Sequence, residues 1–213
     1  MPQTKTQSAP DYMRRSKLGE PTWELVERDF PRQGDWTEDE YLDLDNRGIE
    51  FVAGTLEFLP VPTKTHEKIK HFLYLALLAF ASVRDLGFVF DSGMKVRVST
   101  KRKREPDVLF MFTKHAHRCG ENEWEGADLV MEIVSPAKDD RKRDYKTKRR
   151  EYAEAGIQEY WIIDPELQKI TVLALRKTKY VVHGEFGRNE RVTSVLLKGF
   201  EVGVAEALAG VKG

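Results

Sequence analysis

The chain has the order strand, helix, strand between residues 127 and 164, and this unit constrains the fold more than any other feature. Residues 127–134 are apolar at nearly every position, which is typical of a central strand buried on both faces. A charged helix, predicted for residues 141–155 and ended by Gly156, leads into a second strand at Glu159–Asp164. A helix that crosses over between two strands of one sheet indicates an α/β fold.

Two short patterns precede this unit. Thr37 followed by Glu40 forms a capping box, which predicts a helix over residues 38–44. Residues 49–59 alternate in polarity around Ala53-Gly54, and this alternation predicts a β-hairpin.

A long helix and several further strands complete the predicted fold. Residues 65–86 should form a core-facing helix closed by Gly87, because apolar side chains recur at spacings of three and four: Ile69, Phe72, Leu73, Ala76, Leu77 and Phe80. Other strands are predicted at residues 88–98 and 108–112, and strands that extend the sheet at residues 171–175, 179–183 and 192–197, before a short helix at residues 204–208.

The composition predicts one domain at residues 21–213, after a polar, disordered lead-in at residues 1–20. There is no apolar run of about 18 residues and no signal-peptide pattern, which predicts a protein with no membrane partner that is not secreted. The single cysteine, Cys119, excludes an intramolecular disulfide and a cysteine-based zinc site, and fits a cytoplasmic location.

The net charge is zero, from 35 basic and 35 acidic residues, so any nucleic-acid-binding surface must be local. Two basic runs are candidates, and they include Lys101, Arg102, Lys103 and Arg104 in the first and Lys138, Arg141 and Lys142 in the second. Such runs either form a solvated face or follow a phosphate backbone without reading the base sequence.

Two acidic residues lie between these basic runs. Asp107 immediately precedes an apolar strand, and Glu132 lies inside one, where a carboxylate is costly unless it is paired or bound to a metal. If the two strands are neighbours, both carboxylates and the backbone carbonyl of Ile133 could bind one Mg²⁺ ion. A structural cap or a buried salt bridge is the alternative for both acids.

The helix that follows carries three polar side chains at a spacing of four. Asp144, Lys148 and Tyr152 should share one helical face that points towards the sheet edge. Lys148 could then stabilise the charge on a phosphate or orient the attacking water. Alternatively, Asp144 and Lys148 form a surface pair with Tyr152 packed beneath them.

Several motifs in one order resemble a known bacterial family. The chain resembles the Uma-type endonuclease family of the PD-(D/E)XK nuclease superfamily. The motifs that carry the resemblance are Trp36-Thr37-Glu-Asp-Glu-Tyr41-Leu42, the hairpin at residues 49–57, Pro106-Asp107, the strand with Glu132 before Ser135-Pro136, the series Asp144, Lys148 and Tyr152, and the segment from Gly156 to Pro165. The resemblance covers residues 21–175. It implies a restriction-endonuclease-like core, which is a mixed β-sheet flanked by helices in the order helix, three strands, helix, strand, with extra C-terminal strands.

The resemblance also implies the site. Mg²⁺ or Mn²⁺ would bind Asp107 and Glu132, and DNA would be the substrate. The superfamily lysine two residues after the strand glutamate is replaced here by Val134, and Lys148 occupies the place to which this family has moved it. Glu50 matches a family acid that is a further ligand or a partner of Lys148, and His66 matches a family histidine with a supporting role.

Two functions follow from the sequence. The first is a metal-dependent endonuclease that hydrolyses DNA phosphodiester bonds, with Asp107, Glu132, Lys148 and Glu50 as its catalytic residues. The second is a catalytically silent nucleic-acid-binding or assembly module that keeps the nuclease fold, because a fold alone does not establish an activity. A homodimer is expected, since dimers are common among enzymes that cut both strands.

Overall fold

The structure is a computed structural model that describes residues 30–44 and 48–209. The predicted lead-in at residues 1–20 lies outside the described residues. The first helix, Glu38–Leu42, begins with the predicted capping box, in which the side chains of Thr37 and Glu40 each accept from the other's backbone N–H. The predicted hairpin is also present, as strands β1 (Ile49–Val52) and β2 (Thr55–Phe58).

The hairpin turn requires its glycine. Ala53 and Gly54 both have positive φ, at 49° and 85°, which is the backbone of the tight turns that match strand twist. A Cβ atom at Gly54 would lie 2.4 Å from the carbonyl oxygen of Gly34. A larger residue at position 54 would therefore push the chain before the first helix away from the hairpin.

The long helix is Lys64–Val83, and Thr63 caps it by accepting from the backbone N–H of His66. Its buried stripe is Ile69, Leu73, Leu77 and Ala81. The prediction that Gly87 closes this helix is wrong, because Gly87 begins the next strand, where an added Cβ would lie 2.0 Å from the carbonyl oxygen of Met111. No helix among the described residues is long and apolar enough to cross a membrane.

The remaining strands form two larger sheets and a small one. The strands are β3 (Gly87–Asp91), β4 (Lys95–Ser99), β5 (Arg102–Arg104), β6 (Val108–Phe112), β7 (Glu123–Trp124), β8 (Leu129–Ile133), β9 (Glu159–Asp164), β10 (Lys169–Arg176), β11 (Lys179–Gly187), β12 (Arg191–Thr193) and β13 (Glu201–Gly203). One sheet has the order β2-β1-β5-β4-β7, the other β11-β10-β9-β8-β6-β3, and β12 pairs with β13. A last helix spans Val204–Ala209.

Two strand predictions need correction. The run predicted at residues 88–98 is divided at Gly93, which has a φ of 103°, and its halves β3 and β4 lie in different sheets. The strand predicted at residues 192–197 is shorter and pairs with β13, so it does not extend the large sheet. The apolar run at Leu129–Ile133 is an interior strand, as predicted, and pairs in parallel with β9.

The central strands of the six-stranded sheet are buried on both faces. Because side chains alternate along a strand, Leu129, Met131 and Ile133 pack under the long helix. Val130 and Val134 pack on the opposite face, where the crossover helix lies. Glu132 shares this second face, and the alternation therefore directs its carboxylate towards the crossover helix.

The crossover helix, called the site helix below, is not regular. It consists of an α-helical turn at Lys138–Lys142, a π-helical turn at Arg143–Lys148 and an α-helical turn at Arg149–Glu154. The predicted uniform α-helix is wrong in this respect, because a π turn bonds residue i to i+5 and widens the helix locally. Gly156, with a φ of 77°, follows the end of the helix as predicted.

A buried glutamate fastens the C-terminal segment to the sheet. The carboxylate of Glu159 accepts from the indole N–H of Trp161 at 2.6 Å and from the backbone N–H groups of Val195 and Leu196 at 2.7 Å each. We expect Glu159→Gln to lower the free energy of unfolding by about 2 to 3 kcal/mol, because the new amide cannot accept from all three donors. Urea denaturation measures this loss, and Glu154→Gln, an exposed change of the same kind, should cost less than about 0.5 kcal/mol.

Candidate active site

A cleft of about 710 Å³ opens beside the N-terminus of the long helix and the start of the site helix. The predicted site residues Asp107, Glu132, Asp144, Lys148 and His66 all line it. The described residues that line the cleft include seven with carboxylate side chains but only three lysine and arginine residues. The cleft therefore carries an excess of negative charge that favours a bound cation.

Asp107 and Glu132 are brought together by adjacent strands. In the antiparallel pair β6 and β8, Val108 lies opposite Met131, so Asp107 follows in register next to Glu132. The backbone N–H of Ile133 donates to Oδ2 of Asp107 at 2.7 Å. The two predicted carboxylate ligands are therefore neighbours at one end of the sheet.

Glu132 is buried among polar partners. Its Oε1 atom accepts from Lys148 Nζ at 2.8 Å and from the hydroxyl of Tyr152 at 2.5 Å. Burial is the largest cause that raises the pKa of this carboxyl; Lys148 opposes it, the charges of Asp107, Asp144 and Glu50 add to it, and together these effects raise the pKa to about 8. The positive charge of Lys148 therefore does not fully offset burial and the negative charges of the neighbouring carboxylates, which both disfavour ionised Glu132.

Lys148 lies between two carboxylates. Its Nζ atom is 2.8 Å from Glu132 Oε1 and 3.0 Å from Glu50 Oε1, and the side chain is almost fully buried. Burial lowers the pKa of Lys148, but the charges of Glu132, Glu50 and Asp144 outweigh burial and raise it above its ordinary value. The ammonium group is therefore a fixed positive charge, and Glu50 is its partner.

Asp144 and Tyr152 also reach the interior. Asp144 is buried, its Oδ1 lies 3.3 Å from Arg143 Nε, and its backbone carbonyl accepts from the hydroxyl of Tyr160 at 3.0 Å. Burial raises the pKa of Asp144 above its ordinary value, although the charges of Lys148 and Arg143 oppose this rise. The alternative of a solvent-exposed pair between Asp144 and Lys148 is wrong, because both side chains are buried.

His66 lies against Asp107 on the cleft wall. Its Nε2 atom is 3.2 Å from Asp107 Oδ2. Burial lowers the pKa of His66, but the hydrogen bond and charge of Asp107, together with Glu67, outweigh burial and raise it.

We expect Asp107→Asn to lower the pKa of His66, because the carboxylate that favours the imidazolium is removed. NMR titration of the histidine ring signals measures the change, and Asp85→Asn, which removes an exposed acid elsewhere, is the matched control. Because the pKa of His66 is higher in the folded protein than in the unfolded chain, protonation of His66 stabilises the fold. This contribution is complete at pH values below 6.5 and is lost as the pH rises through the folded-state pKa. An unchanged His66 titration in Asp107→Asn would contradict this pairing.

Two of the four residues of the first basic run are not on the surface. The prediction is wrong for Lys103 and Arg104, because both are buried and bound to carboxylates. Lys103 pairs with Glu123, and Arg104 pairs with Glu50 at 2.7 Å.

The other predicted contacts divide into two groups. Arg102 lies 3.4 Å from Glu151, and Arg141 forms two hydrogen bonds with Asp164, so both guanidinium groups already have partners. The exposed cations are Lys101, Lys138 and Lys142. These three stay predicted nucleic-acid contacts.

Sequence reasoning missed the link between Arg104 and the site. Arg104 also donates to Glu151 Oε2 at 2.9 Å and to Glu57 Oε2 at 2.6 Å. Alternation along β5 could have indicated it, since Arg102 and Arg104 must share one face of the strand and Lys103 the other.

The fold resembles that of a solved bacterial protein. A protein from Anabaena variabilis, described as "a putative nuclease belonging to DUF820", shares 17% sequence identity and has a TM-score of 0.67, covering 82% of this chain and 98% of that one. This match confirms the predicted nuclease-like α/β fold. The type IIG restriction endonuclease BpuSI matches with 17% identity over 60% of this chain and 14% of its own, but its TM-score of 0.35 is too low to establish a shared fold.

The family comparison confirms the resemblance seen in the motifs. No curated protein matches the chain. The Uma2 family, described as "Putative restriction endonuclease", matches residues 38–205, a span that includes every predicted site residue. Since the match extends over more than half of the sequence, the chain belongs to the Uma2 family.

Proposed function

We propose that the protein is a Mg²⁺- or Mn²⁺-dependent endonuclease that hydrolyses phosphodiester bonds of DNA. The observation that supports this most is the arrangement in the cleft, where Glu132 lies beside Asp107, the residue that precedes the adjacent strand, and binds the ammonium group of Lys148. Two carboxylates and one cation are the groups that metal-assisted phosphodiester hydrolysis requires. The family's description as a restriction endonuclease agrees with DNA as the substrate.

The residues fit a divalent metal. The hydrogen bonds and ion pairs found for these two carboxylates among the described residues end on Oε1 of Glu132 and Oδ2 of Asp107, which leaves Oε2 and Oδ1 as candidate ligands. The described residues contain no cluster of three or more His, Cys, Asp and Glu side chains arranged for a metal. A site of two carboxylates, the Ile133 carbonyl and several waters suits Mg²⁺, which dehydrates reluctantly.

Each side chain then has a definite task. When bound, the metal would polarise a phosphate oxygen and lower the pKa of a water. Lys148 would place its positive charge where negative charge builds up on the phosphate, and it stays protonated because three carboxylates surround it. Glu50 holds Lys148 from the opposite side, and the Tyr152 hydroxyl fixes the orientation of the Glu132 carboxylate. His66 orients Asp107.

The test is cleavage of supercoiled plasmid DNA by the purified protein. Nicked and linear products should form with Mg²⁺ or Mn²⁺ and should be absent when the metal is removed with EDTA. If the protein binds DNA but does not cleave it with either Mg²⁺ or Mn²⁺, this result would favour the alternative of a silent nucleic-acid-binding or assembly module. The homodimer and the cytoplasmic location remain predictions from the sequence.

A further inference from the structure

Arg104 is buried directly behind the proposed site. It is only 1% exposed, and its Nη1 atom lies 2.7 Å from Glu50 Oε2. Its Nε atom lies 2.9 Å from Glu151 Oε2, on the site helix. Arg104 therefore joins the hairpin that carries Glu50 to the helix that carries Lys148.

Glu50 is shared between two cations. Its Oε1 atom lies 3.0 Å from Lys148 Nζ and accepts from the backbone N–H of Glu105 at 3.1 Å, while its Oε2 atom is held by Arg104. Glu50 has no exposed surface, so solvent does not compete for it. Charge thus alternates along a buried series that runs from Glu132 through Lys148, Glu50 and Arg104 to Glu151.

We propose that Arg104 is a positioning residue: by holding Glu50, it keeps the ammonium group of Lys148 on the cleft side, against Glu132. This inference rests on the proposed nuclease function. Without Arg104, the carboxylate of Glu50 would keep only one cationic partner, and in a dry interior an unshared charge attracts that partner strongly. Lys148 would then move towards Glu50 and away from the phosphate.

The chain offers a matched control for this role. Arg102 lies two residues earlier on the same strand face and approaches the same Glu151, at 3.4 Å, but no contact with Glu50 is found among the described residues. Arg102→Met removes the same charge from the same strand. It should leave the position of Lys148 unchanged.

The kinetic test compares Arg104→Met with Arg102→Met in DNA cleavage with Mn²⁺. We expect Arg104→Met to lower kcat about 100-fold, which is the cost of displacing a reacting group by about 1 Å. KM should change less than about twofold, since substrate binding is not affected. Arg104→Lys should recover about one tenth of the wild-type kcat, because an ammonium group carries the charge but lacks the fork that reaches both glutamates.

A second readout does not depend on activity. The side-chain ammonium signal of Lys148, assigned in NMR spectra by its loss in Lys148→Met, should shift in Arg104→Met and stay unchanged in Arg102→Met. Mn²⁺ binding, measured by calorimetry, should be retained in both arginine variants. An unchanged Lys148 signal in folded Arg104→Met, or an equal shift in Arg102→Met, would overturn the proposal. If the wild type cleaves no DNA, the nuclease function fails, while the NMR comparison still decides the role of Arg104.

Discussion

Glu132→Gln is expected to lower the rate of DNA cleavage at saturating Mn²⁺ by at least about 1000-fold, the largest loss among the variants considered. The substitution removes one of two carboxylate ligands, and the stabilisation that a metal provides in such a site is several kcal/mol. Shape is preserved, because glutamine can still accept from Lys148 and Tyr152, which both bind Oε1 in the wild type.

The same variant should not weaken the metal-free fold. The folded-state pKa of Glu132 is about 8, above its ordinary value of 4.5, so the folded protein holds a proton there that the unfolded chain releases. This carboxyl therefore makes the wild type less stable as the pH rises from about 4.5 to about 8. Glutamine has no such penalty, and the stability of Glu132→Gln relative to the wild type should increase over this range.

Two measurements check this result. Plasmid cleavage gives the activity, and urea denaturation at pH 5 and pH 8 without divalent metal gives the stability. Glu166→Gln is the matched control, because Glu166 also lines the cleft but its carboxylate is half exposed and pairs with Arg141. Full activity in Glu132→Gln would exclude Glu132 as a metal ligand.

The stability gained on binding Mn²⁺ should also distinguish Glu132→Gln from the wild type. A ligand that binds only the folded protein adds about 2.7 kcal/mol of stability at 100 times its dissociation constant. Mn²⁺ should therefore raise the stability of the wild type, and Glu132→Gln should gain little at the same concentration. An equal gain in both proteins would place the metal elsewhere.

The position of the two acids could be predicted because local patterns determine it. The apolar run around Glu132 predicted an interior strand, and alternation along that strand directs the carboxylate to one face. Asp107 precedes the neighbouring strand, so pairing of the two strands was enough to bring the acids together. Gly156 marked the end of the crossover helix correctly.

Other features depend on contacts that are distant in the sequence. The partners of Arg104 lie 47 and 54 residues away, and the basic run around it therefore gave no indication that its side chain is buried. The π turn at Arg143–Lys148 is a change of backbone bonding within a sequence that is compatible with a regular helix. Asp144 and Lys148 are nevertheless both buried, so the spacing correctly predicted that they share one face of the helix, although the backbone is not a regular α-helix.

Lys148→Met is expected to lower kcat by about 100- to 1000-fold, the usual cost of removing a charge that stabilises a transition state. It should also lower the free energy of unfolding by about 3 kcal/mol, because it leaves the ionised carboxylate of Glu50 buried with one cation fewer and Glu132 without its ammonium donor. The loss lies at the lower end of the range for broken buried pairs, since Arg104 still holds Glu50. Lys146→Met, an exposed change within the same π turn, should alter neither quantity.

A double variant separates the two effects of Lys148. Adding Glu50→Gln to Lys148→Met removes the buried carboxylate charge that Lys148 no longer compensates, and Arg104 keeps Glu57 and Glu151 as partners. Stability measured by urea denaturation should therefore partly recover, while DNA cleavage should stay as low as in Lys148→Met. Recovery of cleavage together with stability would mean that Lys148 serves only the fold. A persistent loss of cleavage in the restabilised protein would instead assign the ammonium group to the chemistry, because no other buried cation lines the described part of the cleft.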